Sequence, residues 1–152
     1  MNKSDRVELN GIKVYPFTSF KEIINFVDKE KGLLVAVNAE KVKSAMLEFE
    51  IKNNRKPIVA MMGLAFKPNI DDLRESPAKF ITTKVMQSCN DADILVCEPN
   101  ISVHKVFKLT NYKEAYEKAD IVVFLTAHDP FKTLEWREDK VILDFCGIFK
   151  RA

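Results

Sequence analysis

Ile58 to Phe66 reads IVAMMGLAF, and the chain continues KPNIDDLRESP to Pro77. The opening run carries no charge and does not alternate apolar with polar residues, so it reads as a strand buried on both faces of a sheet. A polar loop from Lys67 to Ser76 follows, and Ser76-Pro77 is the cap-then-proline order of a helix start, with the helix expected over Ala78–Gln87. The same alternation then repeats. DILVC (93–97) is a strand ending at Glu98-Pro99-Asn100, and Tyr112–Ala119 is a short helix. DIVVFLT (120–126) is another buried strand, His128–Trp136 a loop with a short helical turn, and Val141–Phe145 the last strand. Continuously apolar strands alternating with helices specify an α/β fold, a Rossmann-like parallel sheet with helices on both faces.

Upstream of Pro57 the pattern is different. Val7-Glu8-Leu9 and Ile12-Lys13-Val14 flank Asn10-Gly11, a strong short-range hairpin signal. Thr18 is a cap for a helix whose apolar stripe runs through Phe20, Ile23, Ile24, Phe26 and Val27 and ends near Gly32. Leu33–Val37 reads as a short buried strand, and Asn38 caps a further helix from Glu40 to about Asn53. The sheet is therefore expected to be preceded by a small β-hairpin/helix/strand/helix segment, giving an N-terminal appendage over residues 1–55 and the main domain over 56–152.

The chain has 152 residues, enough for one domain with an appendage and too few for two full catalytic domains. A formal net charge of +2, with both signs interspersed, provides no concentrated basic face and argues against a nucleic-acid partner. No run approaches the roughly 20 apolar residues of a membrane span, and MNKSDRVELNG does not read as a signal peptide. Cys89, Cys97 and Cys146 are scattered, without a CxxC spacing, which fits a reducing, cytoplasmic compartment.

In open parallel sheets, ligands bind beyond the C-terminal strand ends. The candidate site residues are therefore Lys67 to Arg74, Glu98 to Asn100, Thr126 to Asp129 and Gly147. Lys67 is placed to neutralise a phosphate, and Arg74 to clamp one bidentately beside the helix start at Ser76. The alternative is that Asp71 or Asp72 pairs with Arg74 and merely holds the loop. Gly63 stands alone, with neither GxGxxG nor a Walker motif in the chain, so a dinucleotide or ATP site is not expected from these residues. The Asp pair lacks a third ligand for a metal. His128, on the ligand side of the sheet, has two readings, a hydrogen-bond donor to a nucleotide and a cap for the turn that follows it, of which the cap is the one expected; His104 is expected to lie at the surface. Cys97 has Glu98 beside it, which disfavours a thiolate nucleophile.

Met62 to Ala78, MGLAFKPNIDDLRESPA, closely resembles the opening of the C-terminal domain in the UDP-glucose/GDP-mannose dehydrogenase family, within it most like the UDP-N-acetyl-D-mannosamine dehydrogenases. ILVCEPNI, VVFLTAHDPFK and VILDFCGIFK follow in the family's order. The resemblance implies a domain that clasps the UDP moiety of a nucleotide sugar, with Phe66, Lys67, Glu98, Pro99 and Asn100 as substrate-binding residues. It implies that Arg74 approaches the cofactor, NAD, only when the family's Rossmann domain is present. The family's nucleophile lies in a Gly-x-Cys segment that this chain lacks, so no catalytic residue and no cofactor are assigned to the chain alone. NGIKVYPFTSFKEIINFV followed by LLVAVNAEKV is similar, more weakly, to the start of the WecG/TagA/CpsF glycosyltransferase family. A competing reading makes Ala39–Asn53 the dehydrogenase helix that precedes the Lys56–Phe66 strand.

These readings make the chain a UDP-sugar-binding domain of polysaccharide biosynthesis, truncated relative to the full enzymes and without activity alone. Two alternatives are a subunit that completes an NAD-dependent dehydrogenase with a separate catalytic chain, and a structural or regulatory remnant; the expected partners are a UDP-sugar and either a separate dehydrogenase subunit or further copies of the chain in a homo-oligomer.

Overall fold

The computed structural model describes the backbone of Val7–Leu9, Ile12–Val14 and residues 20–149, and the side chains of residues 31–149. Two compact units divide at residues 34 and 35. In the first, β1 (Val7–Leu9) and β2 (Ile12–Val14) pair antiparallel, with Leu9 opposite Ile12, the register of the expected hairpin. The Asn10-Gly11 turn and the Thr18 cap lie outside the described residues.

The largest departure from expectation is α1, a single helix over Phe20–Asn53 that absorbs both expected helices and the expected Leu33–Val37 strand. Val35, Ala39, Val42 and Met46 are buried at spacings of one helical turn and join the core of the second unit. That 3.6-residue period continues straight through the apolar LLVAV run, and a short apolar run cannot by itself distinguish strand from buried helix. Gly32, where a helix end was expected, is tolerated inside the helix at a cost of about 1 kcal/mol relative to alanine.

The second unit is built on a four-stranded parallel sheet of β3 (Ile58–Met62), β4 (Asp93–Cys97), β5 (Ile121–Phe124) and β6 (Val141–Asp144) in the order β4-β3-β5-β6. The strands are connected by α2 (Pro77–Ser88), α3 (Tyr112–Lys118) and a 3₁₀ turn over Asp129–Thr133. Ser76 caps α2, its Oγ accepting from Lys79 N–H, and Pro77 starts the helix as expected. Asn111 caps α3 through Oδ1.

Side chains alternate across the sheet and so separate two cores. Val59 and Met61 of β3 and Ile121 and Val123 of β5 face α1 and α2, meeting Val42, Met46, Ile81 and Val85. Ala60, Met62, Val122 and Phe124 point the other way, onto Ala115, Tyr116 and Ala119 around α3 and onto Phe131. Both faces are covered, which is why these strands tolerate no polar position.

The C-terminal end of α1 is tied to the sheet. Arg55 donates two hydrogen bonds, of 2.9 and 2.8 Å, to the two carboxylate oxygens of Asp120, whose Oδ2 also accepts from Ile58 N–H. The Arg55 hydrogen bond, opposed by partial burial and aided by Ile58 N–H, holds the Asp120 carboxyl below its ordinary value. Asp120→Ala is expected to cost about 1–2 kcal/mol near neutral pH. A depressed folded pKa stabilises above the unfolded aspartate value and stops doing so as pH falls through the folded one. The wild-type advantage should therefore shrink in acid, which urea denaturation of both proteins at two pH values would measure.

Candidate functional site

The chain runs from β3 through α2 to β4 on one side, then crosses back through α3 to β5 on the other. The order of strands thus reverses between β3 and β5, and the crevice beyond their C-terminal ends is where a sheet of this type takes ligands. The segments emerging there are Gly63–Arg74 after β3, Glu98–Asn100 after β4 and Leu125–Asp129 after β5.

Glu98 organises all three segments. Its side chain is fully buried. Oε1 accepts from the N–H groups of Leu64 and Ala65, each at 3.0 Å, and lies 2.7 Å from His128 Nε2. Oε2 accepts from Asn100 N–H at 2.9 Å. Burial opposes ionisation, but the His128, Asn100 and Leu64 hydrogen bonds outweigh it and hold the carboxyl below the ordinary glutamate value.

His128 is equally buried, and its tautomer follows from its neighbours. Nδ1 accepts from Asn69 N–H at 2.9 Å, a group that can only donate, and faces the Asn100 amide nitrogen at 3.1 Å. The ring proton therefore sits on Nε2 and is donated to Glu98. His128 does not cap the 3₁₀ turn through its side chain, contrary to expectation. Instead Asn69, at φ 63°, supplies Oδ1 to Asp129 N–H, and Asn100 donates its amide to Ile70 O. Asn69 lay within the Lys67 to Arg74 candidate segment but was given no role by sequence; the available signal was its residue type, since asparagine tolerates the left-handed backbone it adopts here.

The other expected site residues fall into two groups. Phe66 and Lys67 are exposed on the loop, with Lys67 Nζ 6.0 Å from the Phe66 ring centre. Phe66 N–H donates to Asp72 O. Pro99 is half-buried and Asn100 exposed beside them. Arg74 is 89% exposed but is engaged by Asp72, with Nε–Oδ1 and Nη2–Oδ2 both at 3.0 Å. Arg74 accordingly drives the Asp72 carboxyl down to about 2. Glu98, expected at the ligand, has no free acceptor and no exposed side-chain surface. Its place is beneath the loops, where its oxygens accept from the N–H groups of Leu64, Ala65 and Asn100.

The turn after β3 does not fit a dinucleotide. A pyrophosphate in such a fold needs free N–H groups and a glycine open to close approach. Here the Leu64 and Ala65 N–H groups are taken by Glu98, and the space beside Gly63 is filled by Thr126, whose Oγ1 donates to Ala65 O at 2.9 Å. Cys97 and Cys146 are not set up as nucleophiles either. Burial, reinforced by Glu98 and Glu114, pushes the Cys97 thiol up to about 12, and burial with Asp144 does the same to Cys146. Asp144 instead accepts from the N–H groups of Gly147, Ile148 and Phe149, closing the chain past β6. Among the described residues no three carboxylate, histidine or cysteine side chains converge as a metal site, and no helix is long and apolar enough to cross a membrane.

Residues 60–151 match the model of the UDP-glucose/GDP-mannose dehydrogenase family, UDP binding domain. The chain belongs to this family. A UDP-N-acetyl-D-mannosamine dehydrogenase of Campylobacter jejuni is 43% identical over 104 residues, covering 64% of this chain and 25% of the relative. An NDP-N-acetyl-D-galactosaminuronic acid dehydrogenase of Ralstonia solanacearum is 38% identical over 117 residues, covering 72% and 26%. The chain thus spans about a quarter of the length of these relatives. A UDP-N-acetyl-D-mannosamine dehydrogenase of Methanocaldococcus jannaschii matches 82% of the chain at 30% identity and 32% of its own length. That coverage takes in part of α1, since residues 56–152 make up less than two thirds of the chain. Among solved structures, the UDP-D-ManNAc dehydrogenase of Pyrococcus horikoshii superposes on 72% of this chain and 27% of its own, with TM-score 0.52 and 30% identity.

Proposed function

We propose that this chain binds a UDP-sugar, UDP-N-acetylmannosamine or its uronic acid, at the crevice between the ends of β3, β4 and β5, and does not oxidise it unaided. The reading is carried by one coincidence: the match to a UDP-binding domain spans the segments that meet at the reversal of strand order. Lys67 supplies the exposed cation for the diphosphate, Phe66 lies along the nucleotide sugar, and Pro99 and Asn100 border it. Glu98 contributes by holding the loop. Arg74 turns to a cofactor phosphate only beside an NAD-holding domain, exchanging Asp72 for it. Cytoplasmic polysaccharide biosynthesis is the setting that fits such a ligand.

Calorimetric titration with UDP, UDP-N-acetylmannosamine and its uronic acid, with NAD as comparison, tests this reading. Saturable binding of the UDP compounds, weakened about tenfold by Lys67→Ala and without NAD binding, is the expected result. A folded sample that binds none of the UDP compounds removes the proposal.

A second reading, a subunit completing an NAD-dependent dehydrogenase, is favoured by the exposed apolar side chains of Val37, Leu47 and Ile51 along α1. It predicts NAD reduction only in a mixture with a chain that holds NAD.

A further inference from the structure

Beneath the proposed ligand loop lies a buried polar network that does more than fill space. Glu98 and His128 both have side chains with no exposed surface, in a core where unpaired polar atoms are costly. Every polar atom of the pair is used, and the bonds hold the crevice at several points: Leu64 and Ala65 at the loop's start, Asn69 further along it, and Asn100 after β4. Phe66 and Lys67 stand between the anchored Ala65 and the anchored Asn69. Three residues of chain between two fixed ends, one of them the conformationally restricted Pro68, have little freedom, so the anchors set where the Lys67 ammonium and the Phe66 ring are presented.

We infer that Glu98 and His128 form a latch that positions the Phe66–Asn69 segment for ligand, and that it works only with the His128 proton on Nε2. The inference rests on the UDP-sugar reading for its ligand, but the latch itself is a statement about the loop. The polarity is fixed by donor and acceptor counting. Glu98 faces four donors and must be an acceptor throughout. Nδ1 faces the Asn69 N–H and must accept, so a proton there would set donor against donor. An apolar residue of similar size would fill the space and lose both bonds, whereas a glutamine carboxamide supplies one donor and one acceptor at comparable spacing. Glu98 and His128 are positioning residues, acting through the loop without touching the nucleotide.

The experiment is run on the full chain. Nitrogen NMR of the wild-type histidines is expected to show His128 in the Nε2–H form; an Nδ1–H tautomer overturns the latch. Backbone amide exchange at Asn69 and Asn100 is then compared in His128→Leu and His128→Gln, at a temperature where circular dichroism shows both folded. Protection at Asn69 is expected to fall at least tenfold in His128→Leu and to return to within about threefold of wild type in His128→Gln. UDP affinity should follow the same order, with a loss of about tenfold for the leucine variant and rescue by the glutamine. Equal protection at Asn69 in all three proteins means the ring only packs, and the inference fails. Should UDP not bind the wild type while tautomer and exchange behave as expected, the ligand reading falls and the latch stands.

Discussion

Glu98→Ala is expected to destabilise the protein by about 3–5 kcal/mol, a large part of the roughly 5–15 kcal/mol that holds a domain of ordinary size together. The substitution removes one carboxylate and strands three buried donors, the N–H groups of Leu64 and Ala65 and the Nε2–H of His128, together with the part-buried N–H of Asn100. Leaving a buried donor unpaired costs more than a typical hydrogen bond contributes, because the group has lost water without a replacement. Urea denaturation followed by circular dichroism measures the effect, and a loss under about 1 kcal/mol would refute the account. The sign with pH is also fixed. The Glu98 carboxyl is held below its ordinary value, so its ionised form stabilises above the usual glutamate range and ceases to as pH falls through the lower folded value. The difference between wild type and variant should narrow in acid.

The position of Glu98 illustrates what the sequence could and could not reveal. That EPN follows a buried strand was legible, and with it the site's location, because strand ends gather at one edge of any parallel sheet. The side chain's direction was not, since it depends on which N–H groups are left unpaired two and three residues past the end of β3. The same holds for His128. Its place after DIVVFLT was plain, but its partners lie 30 and 59 residues away in sequence. Arg74 had two readings in the sequence, and the structure adopts the local one because Asp72 is two residues away and offers both oxygens. The sheet was legible throughout, each strand being apolar on both faces. In α1, the alternatives of strand and helix for LLVAV differ only in period, and the buried set Val35, Ala39, Val42 and Met46 makes the helical period visible once the core is known.

The two glycines Gly63 and Gly32 should respond to alanine with opposite signs, and the contrast isolates the reason for the first. Gly63 has φ +101°, a backbone region that residues with a Cβ rarely adopt. A Cβ there would lie 2.8 Å from Thr126 Cβ and 3.0 Å from Thr126 N, a backbone atom that cannot swing aside. Relief requires β3's exit and β5's exit to separate, which stretches the Thr126 Oγ1 bond to Ala65 O and the Glu98 bonds to Leu64 and Ala65. Strain and clash together are expected to cost about 2–4 kcal/mol in Gly63→Ala. Gly32 lies within α1 with nothing within 4 Å of where a Cβ would sit. There alanine removes only the glycine's conformational freedom, and Gly32→Ala is expected to stabilise by about 0.5–1 kcal/mol. Thermal melts of the two variants decide the matter. If Gly63→Ala is neutral, the turn can open at no cost, and its N–H groups would then be available to something other than Glu98. If it is destabilising as expected, the close packing of the two strand exits is what commits those N–H groups to the protein's own carboxylate, and the exposed loop with Phe66 and Lys67 is the part of the crevice that faces solvent.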